Sequence, residues 1–184
     1  GAGWAEEEFT ALGVPFAERG KRTEECIQIY KRAWSEDPVA FEGKHYHFEN
    51  LSMDPKPLQS PRPPIIYGGV SPAGARRAAR YCDGFYPMFF DPYADTFRYG
   101  PLQHIIRQEL DALERKTDSF AMFAAASMRL TNANDPLSQQ KQRPVCTGTP
   151  EQVLEDLNDF ALAGYSLVAG IFDCPSGEPE EYEE

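Results

Sequence analysis

The sequence predicts an α/β fold built on parallel strands. Two observations carry that prediction: from residue 64 onward short apolar runs alternate with helix-periodic segments, and the runs are continuously apolar rather than alternating with polar residues. Regular alternation of strand and helix implies parallel strands joined by right-handed crossovers, with the helices packed outside the sheet. Continuous apolar runs are what strands covered on both faces require. With 184 residues and 41% hydrophobic content, the chain is long enough to bury one real core.

Taken in order, "WAEEEFTALGVPFAERGKRTEECIQIYKRAWSEDP" from Trp4 predicts a short helix, a corner at Gly13-Val14-Pro15 and a longer helix. Phe16, Ile27, Tyr30 and Trp34 are expected to share its apolar stripe, with Glu18, Arg19, Lys21, Arg22, Glu24 and Glu25 solvating the outer face. Residues 38–53 switch to a period near two, placing Val39, Phe41, Tyr46, Phe48 and Leu51 around a turn at Glu42-Gly43, which predicts a hairpin lying as a surface flap. The next stretch, "DPKPLQSPRPP", holds five prolines and can continue neither a helix nor a central strand, so it is expected to run extended over the surface. Beyond it the pattern predicts strand 64–68, helix 72–82, strand 84–88, helix 101–116, strand 120–128, a polar loop 131–148, helix 150–163 and strand 166–172. The last ten residues, 175–184, are acidic and predicted to form a flexible tail after one domain spanning 1–174.

A formal charge of −11 opposes a nucleic-acid or acidic-membrane partner, because such binding needs a basic face. A local pocket can still take a small anion. Cys26, Cys82, Cys146 and Cys174 are far apart with no C-x-x-C pair, which fits reduced thiols better than a zinc site or a disulfide framework. No apolar run reaches the roughly 20 residues of a membrane span, and the first residues lack a secretory pattern, so a soluble, cytoplasmic protein is expected.

The stretch with the most chemistry is "PPIIYGGVSPAGARRAARYCDGFYP", in which an apolar run ends at Gly68-Gly69 and Ser71-Pro72 opens a helix. Ser71 is the expected N-cap and Pro72 the first helical residue, leaving main-chain N–H groups and the helix dipole facing out. Those donors suit an anion, and the absence of Cβ atoms lets it come close. The same residues could equally do no more than turn the chain and cap a helix. Gly74 is open to the same two readings, and Arg76 and Arg77 lie where they can reach a phosphate or simply face solvent.

The segments "GAGWAEEEFTALGVPFAERGKRTEE", "LSMDPKPLQSPRPPIIYGG", "SPAGARRAARYCDGFYP" and "CTGTPEQVLEDLNDFALAGYSLVAGIF" together resemble the bacterial-luciferase-like monooxygenases, and within them the branch that uses the deazaflavin coenzyme F420. The resemblance implies a (β/α)8 TIM barrel, of which this chain supplies the C-terminal half, about strands 5–8, with an inserted hairpin. It implies FMN or F420 at the C-terminal ends of the strands, a small organic substrate, and cofactor contacts at Gly3, Trp4, Gly68, Gly69, Val70 and Ser71. The main-chain N–H groups of residues 68–71 would hold the cofactor phosphate, and Gly1-Ala2-Gly3-Trp4 would lie under the ring. Some deazaflavin enzymes carry a glutamate where Trp4 stands, so that acid role is not carried over; Trp4 either walls the pocket or starts a helix from the core. No catalytic residue is assigned. With FMN the implied reaction is oxygen insertion, and with deazaflavin it is hydride transfer. An open half-barrel would leave Ile65, Phe85, Met88, Phe123 and Phe172 uncovered, so either a homo-oligomer or the missing N-terminal half of the same chain is expected to cover them. The alternative function is a non-catalytic half-barrel scaffold, with or without bound flavin or phosphate.

Other clusters carry less. His45 and His47 have the spacing to share one side of a strand but no third ligand, so no metal site is assigned. His104 reads as a helix-surface residue, and Phe85-Tyr86-Pro87-Met88-Phe89-Phe90 as either a substrate-pocket wall or barrel core with a turn at Pro92. Arg129, at the end of an apolar strand, is a candidate anion contact. Thr149-Pro150 reads as a capped helix start.

Overall fold

Within a few residues, the strands and helices expected after residue 64 all form. The computed structural model describes residues 1–87 and 100–172; Met88, Phe89, Phe90, Pro92, Cys174 and the acidic tail lie outside them. Helices α1 (Glu6–Ala11) and α2 (Arg19–Ser35) lead into an antiparallel hairpin of β1 (Val39–Glu42) and β2 (His47–Leu51). The proline-rich connector then runs, mostly exposed, to β3 (Ile66–Gly68), α3 (Pro72–Tyr81), β4 (Gly84–Tyr86) and α4 (Gly100–Ala112). They are followed by β5 (Ala121–Leu130), a two-residue β6 (Thr147–Gly148) that the sequence pattern left inside a loop, α5 (Pro150–Leu162) and β7 (Leu167–Phe172).

Strands β3 to β7 make one five-stranded sheet in which every pairing is parallel. β5 is the hub. Its first residues pair with β4, its middle with β7 from Phe123↔Leu167 to Met128↔Phe172, and its end with β6. Both expected helix starts are present. The Ser71 Oγ accepts the N–H of Gly74, and Thr149 forms a reciprocal capping box with Gln152, each followed by proline in the first turn.

The core lies between the sheet and its covering helices: Ala75, Ala78 and Ala79 of α3, Leu102, Ile106 and Leu110 of α4, and Phe160 of α5 meet Phe85, Met122, Ala124 and Ala126. The expectation that Phe85 is left uncovered does not hold, because its ring belongs to this helix-covered cluster and is 0% exposed. On β7 it does hold: Phe172 is 62% exposed, and Leu167 and Ile171 are open as well. Burial pushes the thiols of Cys82 and Cys146 up to about 11, so both are packing residues with little thiolate at neutral pH.

Helix α2 departs from the expected stripe. Ile27 and Ala33 are its buried residues, whereas Tyr30 is 50% exposed and stacks on Trp34 at the surface. The face read as solvated is in fact a docking face. Glu25 accepts the main-chain N–H groups of Lys44, His45 and Tyr46 at 2.9, 2.9 and 3.1 Å, pinning the hairpin turn to the helix. Burial works to raise the Glu25 carboxyl, but these three donors, with His45, outweigh it and hold it below its ordinary value. Replacing Glu25 with alanine strands three donors at once and is expected to cost about 2 kcal/mol. A thermal melt and limited proteolysis within residues 39–51 check this, with faster cleavage of the variant as the expected result.

Candidate functional site

The chain turns from β3 into α3 at the carboxyl end of the parallel sheet, and there a cavity of about 530 Å³ opens. All six residues expected to contact a cofactor line it: Gly3 and Trp4 from the N-terminal segment, and Gly68, Gly69, Val70 and Ser71 from the corner. The two segments are brought together by close backbone approach, since a Cβ placed on Gly1 would fall 2.9 Å from the Gly68 carbonyl oxygen. Trp4 is 82% exposed, so its ring walls the cavity and is not part of the core.

The corner residues do not all contribute in the same way. Gly69 donates its N–H to the Tyr86 carbonyl at 3.0 Å, extending the parallel ladder, so what it brings to the cavity is space without a donor. Gly74 donates to the Ser71 cap. Among the described residues no acceptor takes the N–H groups of Val70, Ser71 or Ala73, and these three line the cavity at the N-terminus of α3. They are the donors an anion could use.

Sequence reasoning missed two contributions from α2. Arg19 lines the cavity with its guanidinium over the Phe16 ring at 3.7 Å and Nη1 donating to the Phe16 carbonyl at 2.9 Å. Gly20 lines it too. Of the three arginines in α3, Arg77 lines the cavity while Arg76 and Arg80 pair with Glu109 outside it. Arg77 donates from Nε to Glu24 at 3.2 Å and from Nη1 to the Tyr67 hydroxyl at 3.0 Å. The pairing of a glycine at 20 with an acid at 24, one turn apart on a helix, was the available signal, but nothing local ties it to residue 77.

The remaining candidates lie elsewhere. Arg129 sits within β5 in register with Thr147 and is not among the residues lining the cavity. His45 and His47 diverge: the His45 side chain is buried, with Nδ1 3.5 Å from Glu18, and His47 is exposed on Glu42 at 2.6 Å. Among the described residues there is no group of three metal-ligating side chains, and no helix is long and apolar enough to cross a membrane. His104 lies exposed on α4.

Residues 1–98, more than half of the chain, match the luciferase-like monooxygenases, and this match includes both walls of the cavity. The chain belongs to that family. This luciferase-like chain is 40% identical over 88 residues to an FMNH2-dependent dimethylsulfone monooxygenase of Pseudomonas putida, a stretch covering 46% of the chain and 24% of that protein. Among solved structures it resembles the monooxygenase RslO1 from Streptomyces bottropensis, with a TM-score of 0.72 and 20% identity over 94% of this chain and 61% of the other. It also resembles the coenzyme F420-dependent tetrahydromethanopterin reductase from Methanopyrus kandleri, with a TM-score of 0.69 and 13% identity over 97% and 68% of the two chains. At these identities the structural likeness speaks for the fold: an α/β parallel sheet of the TIM-barrel kind, aligned over part of the length of each relative. The match spans about a quarter of the curated relative's length.

Proposed function

We propose that the cavity takes the phosphate-bearing end of a flavin, either FMN in its reduced form or the deazaflavin coenzyme F420, and that the chain is part of an oxidoreductase acting on a small organic substrate. The observation that carries this reading is the set of three unclaimed amides, Val70, Ser71 and Ala73, at the mouth of a capped helix beside a cavity of flavin-binding size. In a chain of net charge −11, only such a local arrangement can hold an anion. When bound, reduced FMN supplies oxygen activation and deazaflavin supplies a hydride. The protein's own share is to anchor the tail on these amides and to wall the ring with Trp4 and the main chain of Gly3. The exposed β7 residues Leu167, Ile171 and Phe172 favour a covering strand, contributed by a second copy or by more of the same polypeptide. Without that cover, a scaffold that binds flavin but does not turn over is the competing reading.

The test is a visible-absorbance titration of the purified chain with FMN and with F420 separately, with its oligomeric state measured by light scattering. Saturable binding of one of the two, weakened by inorganic phosphate, is the expected result. A folded sample that binds neither would end the flavin reading.

A further inference from the structure

Glycine inside a helix is a destabilising choice, so Gly20, the second residue of α2, needs a reason. The reason is a guanidinium. A Cβ on Gly20 would fall 2.3 Å from Arg77 Nη2 and 3.1 Å from its Cζ, so the side chain of Arg77 lies directly on the bare backbone of α2. Arg77 cannot move aside freely, because Glu24 holds its Nε, Tyr67 holds its Nη1, and the group lies over the Tyr67 ring at 5.7 Å. Arg77 and Glu24 are nearly buried, at 13% and 15% side-chain exposure. Of the five N–H donors of a guanidinium, the contact to Glu24 and the contact to Tyr67 use two, and the Nη2 pair and the second Nη1 hydrogen are left without an acceptor among the described residues. Glu24 is shared with the exposed Lys21 at 2.9 Å, so the one carboxylate is divided between two cations.

We propose that Arg77 is the side chain by which the cavity tells an anionic cofactor tail from a neutral one, and that Gly20 is its positioning residue. This rests on the flavin reading above and adds to it which charged group senses the tail and what holds that group in place. The three unused donors, both hydrogens of Nη2 and the second of Nη1, leave the guanidinium able to hold phosphate oxygens through charge-assisted hydrogen bonds, which the neutral amides of Val70, Ser71 and Ala73 do not supply.

The experiment compares whichever cofactor the wild type binds with its phosphate-free parent: riboflavin for FMN, or the bare deazaflavin chromophore for F420. Dissociation constants are measured for wild type, Arg77→Met and Gly20→Ala. Circular dichroism melts establish that each variant is folded. The expected result is that Arg77→Met weakens binding of the phosphate-bearing form on the order of ten- to a hundred-fold and leaves the parent unchanged. Gly20→Ala is expected to move the same ratio in the same direction by a smaller factor. Equal effects of Arg77→Met on both ligands, or a wild-type ratio in Gly20→Ala, would overturn the proposal while leaving the flavin reading intact. A wild type that does not prefer the phosphate-bearing form would instead remove the reading beneath it.

Discussion

Replacing Phe85 with alanine is expected to lower the stability of this chain by about 3 to 5 kcal/mol. The ring is fully buried at the middle of β4, in register with Tyr67 of β3 on one side and Met122 of β5 on the other, and it packs into the cluster shared with α3 and α4. Truncation therefore removes apolar contact and leaves a void bounded by two neighbouring strands and a helix layer, none of which can collapse without breaking the ladder. For a domain of this size, whose whole stability is about 5 to 15 kcal/mol, that is a large fraction. Denaturant unfolding of the variant should show a lower midpoint with an unchanged slope. Phe172→Ala, at a position 62% exposed, is the control and should change the midpoint little. Equal losses in the two variants would mean that the core has been misplaced.

The second large effect is at Asp83. Its carboxylate receives Arg62 through two contacts at 2.6 and 3.0 Å and the main-chain N–H of Ile65 at 2.7 Å. Its own backbone donates to the Ile65 carbonyl at 2.8 Å and accepts from Ala121 at 2.9 Å. One residue thus ties together the starts of β3, β4 and β5. Asp83→Ala strands a partly buried guanidinium and an amide, at an expected cost of about 2 to 3 kcal/mol. Burial works to raise this carboxyl, but Arg62 and the Ile65 N–H outweigh it and hold it below its ordinary value. A depressed folded value means that the unfolded chain binds the proton more readily. The contribution is therefore present above the ordinary carboxylate range and is lost as pH falls through the folded value. The stability gap between wild type and Asp83→Asn should accordingly be full near neutral pH and shrink below about pH 4. A gap that does not change with pH would show that the carboxylate charge contributes nothing there.

What could be foreseen follows the range of the interactions. Ser71-Pro72 and Thr149-Pro150 announce their helices because cap and first turn lie within four residues of each other, and the continuous apolar runs give β3, β4, β5 and β7 without knowledge of their partners. Gly3, Trp4 and residues 68–71 could be singled out through resemblance, and they do converge on one cavity. What could not be foreseen depends on partners distant in the chain. The charges of α2 look solvated by periodicity alone, because Glu25 meets residues 44–46 and Glu24 meets Arg77, 53 positions away, only once the fold has formed. The same holds for Gly69: a strand neighbour at Tyr86 decides whether its amide is free. Phe85 looked uncovered because a continuously apolar strand does not say which of its faces a given residue takes, and its ring lies on the helix-covered side.

The body of α3 carries a consequence of its own. Gly74, Ala75, Ala78 and Ala79 are all buried, and a single added carbon at Gly74 would already press within 3.2 Å of Ser71 Oγ and 3.3 Å of the Tyr67 ring. A helix seated this close has no adjustable spacer beneath it, so its cavity-facing end is mounted rigidly on the sheet. Any change in the size of the cavity would have to come from the opposite wall, formed by the N-terminal segment and α2, while the α3 side stays as a fixed datum.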